Sequence, residues 1–380
     1  GRLWLAYGIT TTRSPGDPAY QLVETREALE AGTLLGPRLL GAGEAVDGSR
    51  IYYNFMRPTL SRQQLKLELE RAVALEYDLI KTYVRFPVEM QRAAVESAHR
   101  SGMPLSSHYL YPASNIGMDA MEHTGATNRL GYSHTVSRLG RAYQDVQELF
   151  ARSGMSDTPT LFNSSALYAS DRSLIDDERT KVLFPPWEYA MLEKKAADAA
   201  TPAQSGVKAL LAANVEMVLR IHRAGGFIIS GVDAPLDNVA IAQHQNLRAM
   251  VMFGFTPYEA LTTATRNPAR WLGMAGKLGV LAPGALADIS LVEGDPLRDI
   301  KAAAAVRHVM HGGAMRTVDD LLAPFKSVDG TGGGGSELTR ARPASPVSER
   351  DSVAPPLAGV TEPQPWWHEP ERHSRVCCGI

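Results

Sequence analysis

Four residues could carry chemistry together: Lys81 in "DLIKTYV", His108 closing "PLSSH", His123 closing "DAMEH", and Asp233 in "FIISGVDAP". Each sits in or at the end of an apolar run. Imidazole and carboxylate are ligands for divalent ions and acceptors for protons. A lysine inside an apolar strand is unusual, because burying an unpaired ammonium is costly and lowers its pKa. Such an amine has three outcomes. It can add carbon dioxide and become a carbamate, an anionic bidentate ligand able to bridge two metal ions. It can pair with an acid, or it can snorkel to the rim. A single histidine at a strand end is more often a hydrogen-bonded rim residue. Lys, His, His and Asp in this order, with one strand skipped near Thr160, form a far more specific pattern.

The elements that must position these groups are legible as alternating runs. Ile9–Arg13, Arg38–Gly43, Asp78–Val84, Pro104–His108, Ala120–His123, Thr158–Phe162 and Phe227–Asp233 are mostly unbroken apolar or β-branched, as buried parallel strands tend to be. Between them lie amphipathic helices. One starts at Ser61 with Gln64 as a capping box and carries Leu65, Leu69, Ala72 and Val73 at helical spacing. Another starts at Pro87 with Met90, Ala94 and Ala98 on one face. A third runs from Val207 to Ala224 with Val207, Leu211, Val215, Val218 and Ile221 in register, and stops at Gly225-Gly226. The alternation predicts an α/β fold of the TIM (β/α)8 type, in which strand C-termini carry the functional groups. Seven strands are visible, one short of eight. No glycine-rich phosphate loop follows the first, which argues against a dinucleotide fold.

Barrel residues are expected over 1–275. Residues 276–325 read as part of a small β-sandwich, with Pro-Gly and Gly-Gly turns in "KLGVLAPGALADISLVEGDP" and "VRHVMHGGAM". Residues 326–380 hold a four-glycine run and seven prolines between Pro343 and Pro370, and are expected to be disordered. Hydrophobic residues make up 44% and charged residues 21%, with a net charge of −2, which leaves no footprint for nucleic acid or an anionic membrane surface. No apolar run approaches the roughly 18 residues needed to span a bilayer. The only cysteines, Cys377 and Cys378, are adjacent and make no disulfide framework. The chain begins at Gly1 as a helix end running into a strand, so an upstream segment is expected, which could hold a further domain or a signal. Compartment therefore stays open, and a homo-oligomer is allowed.

The segments "GITTTRS", "GPRLLGAGEAV", "DLIKTYV", "SSHYL", "MEHTG", "SGVDAP", "TPYEALTTATRNPARWLG" and "GVLAPGALADISLVEGDPL" together resemble the amidohydrolase superfamily from about Ala6 to Leu322. The likeness is greatest to the branch with imidazolonepropionase-like hydrolases and Xaa-Pro or Xaa-Arg dipeptidases. The resemblance implies that Lys81 is a bridging carboxylated lysine and that His108 and His123 bind the second metal. It implies that Asp233 binds metal and takes a proton from the attacking water. Zinc suits such ligands best, with manganese or iron as alternatives. Family members also carry an H-x-H pair on strand one. None of the ten histidines here is so spaced, and "GITTTRS" matches the family's second strand. The resemblance thus implies a two-ion site in an intact parent, and weak metal binding with little activity for this chain alone.

Further candidates surround these four. Tyr83 and Arg85 could hold a substrate carboxylate or carbonyl. His134 could bond a developing oxyanion. Glu122 should face away from His123 across its strand and be structural. Residues 163–201 read as a lid or substrate wall, offering Trp187 and Tyr189. The expected reaction is hydrolysis of a C–N bond in an amide, cyclic amide or dipeptide. The alternatives are a deaminase on the same barrel, which Lys81 argues against, and a barrel that only binds.

Overall fold

The structure is a computed structural model, which describes residues 1–123 and 144–326. Seven short strands run parallel: β1 (Thr11–Ser14), β2 (Arg38–Gly41), β5 (Ile80–Lys81), β6 (Leu105–Ser107), β7 (Ala120–Glu122), β8 (Ser156–Thr158) and β9 (Phe227–Ile228). β1 pairs with β2, and β5 to β9 pair in sequence order. The Asp78 amide donates to the Gly41 carbonyl at 3.0 Å, while Asp78 Oδ2 accepts from the Gly41 amide at 2.8 Å, joining β2 to the approach of β5. A small parallel pair, β3 (Val46–Asp47) and β4 (Arg57–Pro58), extends β2 upward, and Val46 bridges to Thr82. Among the described residues no strand pairing joins β9 to β1. The expected strand at Thr158–Phe162 is corrected to Ser156–Thr158. Thr160 adopts a left-handed backbone (φ 46°) and Phe162 opens a 3₁₀ turn to Ala169, so the ladder ends at Thr158.

Helices follow the strands as the apolar spacing requires. α2 (Ala19–Glu30), α3 (Arg62–Ala74), α4 (Val88–Arg100), α5 (Gln144–Ser153) and α8 (Ser205–Arg223) each bury a stripe against the sheet. α3 starts where predicted: Ser61 Oγ accepts from the Gln64 amide at 3.1 Å, but the Gln64 side chain returns to the Leu60 amide at 3.0 Å rather than to Ser61. Its buried face is Leu65, Leu69 and Ala72, whereas Val73 is 50% exposed. Leu211, Val215, Val218 and Ile221 of α8 are fully buried. Each contributes about 1.5–3 kcal/mol relative to exposure, which fixes the helix on the sheet.

Residues between β8 and α8 form the 3₁₀ turn, α6 (Glu178–Leu183) and α7 (Pro186–Ala199). Their apolar residues Tyr168, Leu174, Ile175, Phe184 and Leu192 pack with Tyr7, at the end of α1 (Arg2–Ala6), and with Ile241, which opens α9 (Ile241–Met252). This region is a packed layer. Trp187 is 65% exposed and Tyr189 donates its hydroxyl to Glu193 at 2.8 Å. The substrate-wall expectation for these two is therefore corrected.

After α10 (Pro257–Ala264) and α11 (Arg266–Trp271), the chain forms an antiparallel sheet of β10 (Ile289–Val292), β11 (Val306–His311) and β12 (Ala314–Thr317), then α12 (Val318–Lys326). The β11–β12 turn uses Gly312 and Gly313, both left-handed, as a tight hairpin demands. The second layer is helical among the described residues: Leu5 and Ala6 of α1 and Leu321 of α12 bury Val309. No described helix is long and apolar enough to cross a membrane. The tail 327–380 and the loop 124–143, with His134, lie outside the described residues.

Candidate metal centre

Lys81, Tyr83, His108, His123 and Asp233 line one pocket at the C-terminal ends of the parallel strands. Lys81 ends β5 and is 3% exposed, and its Nζ has no hydrogen-bond partner among the described residues. Burial lowers its pKa to about 8, against the upward pull of Glu122 and Asp233 and with a downward push from Arg13. A substantial neutral-amine fraction therefore exists near pH 8. His108, directly after β6, is buried with its ring edge-on to Tyr83 at 4.3 Å and to His123 at 4.9 Å. Burial, with Lys81 and His123 adding to it, holds this imidazole well below its usual range.

His123 follows β7 in a left-handed backbone, φ 63°. That turn breaks the two-residue alternation of the strand, so its neighbour Glu122 is also buried beside the site and is corrected from the outward position expected. Arg13 of β1 reaches Glu122 of β7 with two hydrogen bonds, Nη1 to Oε1 at 2.7 Å and Nη2 to Oε2 at 2.9 Å. Burial alone would raise the Glu122 carboxyl, but Arg13 and Lys81 outweigh it and hold it ionised far below the usual carboxylate range.

The hydrogen bonds assign the tautomer of His123. Thr160 Oγ1 donates to the Thr158 carbonyl at 3.5 Å and lies 2.9 Å from His123 Nδ1, so the ring nitrogen is the donor in that second contact. Burial lowers the His123 pKa, although Asp233 opposes this. The neutral ring then presents the Nε2 lone pair to Asp233 Oδ2, 3.5 Å away. Two electron-rich atoms facing each other call for a cation between them. Two donors bound at about 2.0–2.1 Å to one tetrahedral zinc lie roughly 3.3 Å apart, close to the spacing seen. The donors thus fit a divalent ion in kind and in the His123–Asp233 spacing. Among the described residues no three His, Cys, Asp or Glu side chains are already drawn in around one point. The residues nearest to doing so are His108, His123, Asp233 and the unpartnered Lys81.

Tyr83 takes the expected place in the pocket. Arg85 does not: its Nη1 donates to the Arg50 carbonyl at 2.9 Å, and its guanidinium lies over Tyr52 at 5.3 Å. The Asp47 carboxylate accepts from the Arg85 amide at 2.7 Å and turns this loop away from the mouth. Sequence reasoning missed the opposite wall, where Tyr53 and Phe55 stack at 5.3 Å and line the pocket with Met56. The aromatic run "IYYNFM" was the available signal. It also missed Thr160 and Arg13, whose roles depend on contacts between distant strands.

Parallel strands wrapped by helices, with titratable groups gathered at their C-terminal ends, define a TIM-barrel-like α/β protein with an enzyme-type site. The chain belongs to the Amidohydrolase family, whose profile matches residues 5–316. A 70-residue stretch is 44% identical to imidazolonepropionase of Ralstonia nicotianae, spanning 18% of this chain and 16% of that protein. Among solved structures, a Xaa-Pro dipeptidase with methionine in its active site matches at 21% identity and TM-score 0.59, over 83% of this chain and 77% of that one. Ochratoxinase of A. niger matches at 20% identity and TM-score 0.58, over 83% and 73%. A bottromycin amidohydrolase matches at 18% identity and TM-score 0.61, over 84% and 74%. At these identities the structures show a shared fold.

Proposed function

We propose that this chain carries the site of a metal-dependent amidohydrolase that hydrolyses a C–N bond in an amide, cyclic amide or dipeptide. The observation that carries the reading is the neutral His123 Nε2 facing Asp233 Oδ2 at 3.5 Å beside the unpartnered Lys81 amine. His108, His123 and Asp233 would hold the ion, with Lys81 joining them as a carbamate. In forming the carbamate, the neutral Lys81 Nζ bonds the carbon of carbon dioxide and releases one proton. A bound divalent ion, zinc by donor type, polarises the scissile carbonyl and acidifies water.

The chain's own groups do the rest. Asp233 accepts the proton of the attacking water and returns it to the departing nitrogen, so the amine leaves neutral. Thr160 fixes the His123 tautomer through Nδ1. The Arg13–Glu122 pair screens Lys81 from a single unbalanced carboxylate. Tyr53, Phe55 and Tyr83 form an apolar wall that narrows the mouth and limits water. The printed activities of the related proteins, on a propionate-bearing imidazolone and on Xaa-Pro dipeptides, support amide substrates of small size.

The test is a screen of dipeptides and cyclic amides with and without added zinc. Hydrolysis that needs zinc and drops about 10²–10⁴-fold in Asp233→Asn supports the reading. Hydrolysis that survives that substitution contradicts it, and release of ammonia instead of a new carboxylate–amine pair points to deamination.

A further inference from the structure

A second cavity opens between the 3₁₀ turn Phe162–Ala169, α9 and the segment around Ile300, and shares no residue with the barrel-mouth pocket. Its apolar side is Leu167, Val251 and Ile300, and its polar side is Gln245, Arg248 and Asp171. Gln245 and Arg248 are three residues apart on α9, which sets them on one face with Cβ atoms about 5–6 Å apart. Both are deeply buried, at 1% and 7% exposure.

Each of these side chains is only partly satisfied. Gln245 Nε2 donates to the Ser164 carbonyl at 3.2 Å, which fixes the amide, yet its Oε1 has no partner among the described residues. Arg248 Nη1 donates to Asp171 Oδ2 at 3.2 Å and Ser173 Oγ at 2.8 Å, yet its Nε has none. Buried polar atoms are normally paired, so one donor and one acceptor left over on one helix face call for a ligand group. Charge does not call for an ion. Arg248 and Lys301 are balanced by Asp171 and Asp299, with Lys301 Nζ on Asp171 at 2.8 Å.

We propose that this cavity binds a neutral primary amide or lactam, whose carbonyl accepts from Arg248 Nε–H and whose N–H donates to Gln245 Oε1. A cis amide edge presents those two groups side by side, and its hydrocarbon part meets Leu167, Val251 and Ile300. The inference stands apart from the proposed hydrolysis.

The probes are 2-pyrrolidinone and cyclopentanone, a ring of the same size without the N–H, titrated against the full chain by saturation-transfer NMR. The lactam binds saturably with Kd on the order of 1 mM, as expected of a ligand this small. The ketone binds at least about tenfold more weakly. Gln245→Met and Arg248→Lys each weaken the lactam by about tenfold, the lysine keeping the charge while removing the Nε–H. His108→Ala, in the other pocket, leaves it unchanged. Equal binding of lactam and ketone, loss in His108→Ala alone, or no saturable binding would each overturn the proposal and leave a cavity filled by water only. Should one variant misfold by circular dichroism, the other and the lactam–ketone comparison still decide.

Discussion

Left-handed backbone at His123 (φ 63°), Thr160 (φ 46°) and Asp233 (φ 51°) marks three non-glycine residues at the strand ends that build one site. Such conformations cost of order 1–3 kcal/mol each and persist where surrounding structure holds them. Here they turn His123 and Asp233 toward each other and Thr160 under the imidazole. The residue types were legible in the sequence because chemistry-bearing side chains ended apolar runs. The inward turn of Glu122 was not, since period-two alternation predicts the opposite and only the backbone at His123 overrides it. If Thr160 sets the His123 tautomer, Thr160→Val should weaken zinc binding about 10–100-fold with the fold intact, measured by chelator competition. An unchanged affinity would remove Thr160 from the site. The histidines also set an acid limit. Burial lowers His108 and His123, and burial brings His244 down to about 4 despite its bond to the Tyr7 carbonyl at 2.8 Å. Folded values below the unfolded value near 6.5 mean the unfolded chain binds more protons in acid. Stability of the metal-free chain is therefore complete above about pH 6.5 and falls as pH drops toward 4, by up to about 3 kcal/mol from His244. Urea melts across that range check this, and His244→Gln, which keeps a donor for Tyr7, should flatten the curve.

At the scale of elements, the strands were readable because parallel strands buried on both faces lose polar alternation. β8 slipped by two residues because Thr160 looks like a strand residue but is left-handed. The helical cover over β11 was hidden for another reason: it depends on α1 and α12 meeting across more than 300 residues, for which no local pattern exists. The Arg13–Glu122 bridge is of the same long-range kind, tying β1 to β7. Removing one partner strands a buried charge, so Arg13→Met should cost about 3–5 kcal/mol. Arg13→Met with Glu122→Leu should recover most of that loss in denaturant melts. Additive losses would show that the two side chains act separately.

For the whole molecule, family membership across residues 5–316 and the shared fold with dipeptidase and amidohydrolase structures match the resemblance visible in the strand-end motifs. The segments predicted to carry ligands on four separate strands do meet in one pocket. The aromatic wall and the packed layer from Phe162 to Ala199 came only with the structure, since which face a loop presents depends on what it packs against. The most direct test is a crystal of this chain soaked in zinc, with anomalous scattering recorded at the zinc edge. A peak about 2.0–2.2 Å from both His123 Nε2 and Asp233 Oδ2, lost in Lys81→Ala, is the predicted result. No peak there at millimolar zinc, or one that appears only at surface histidines, would contradict the account.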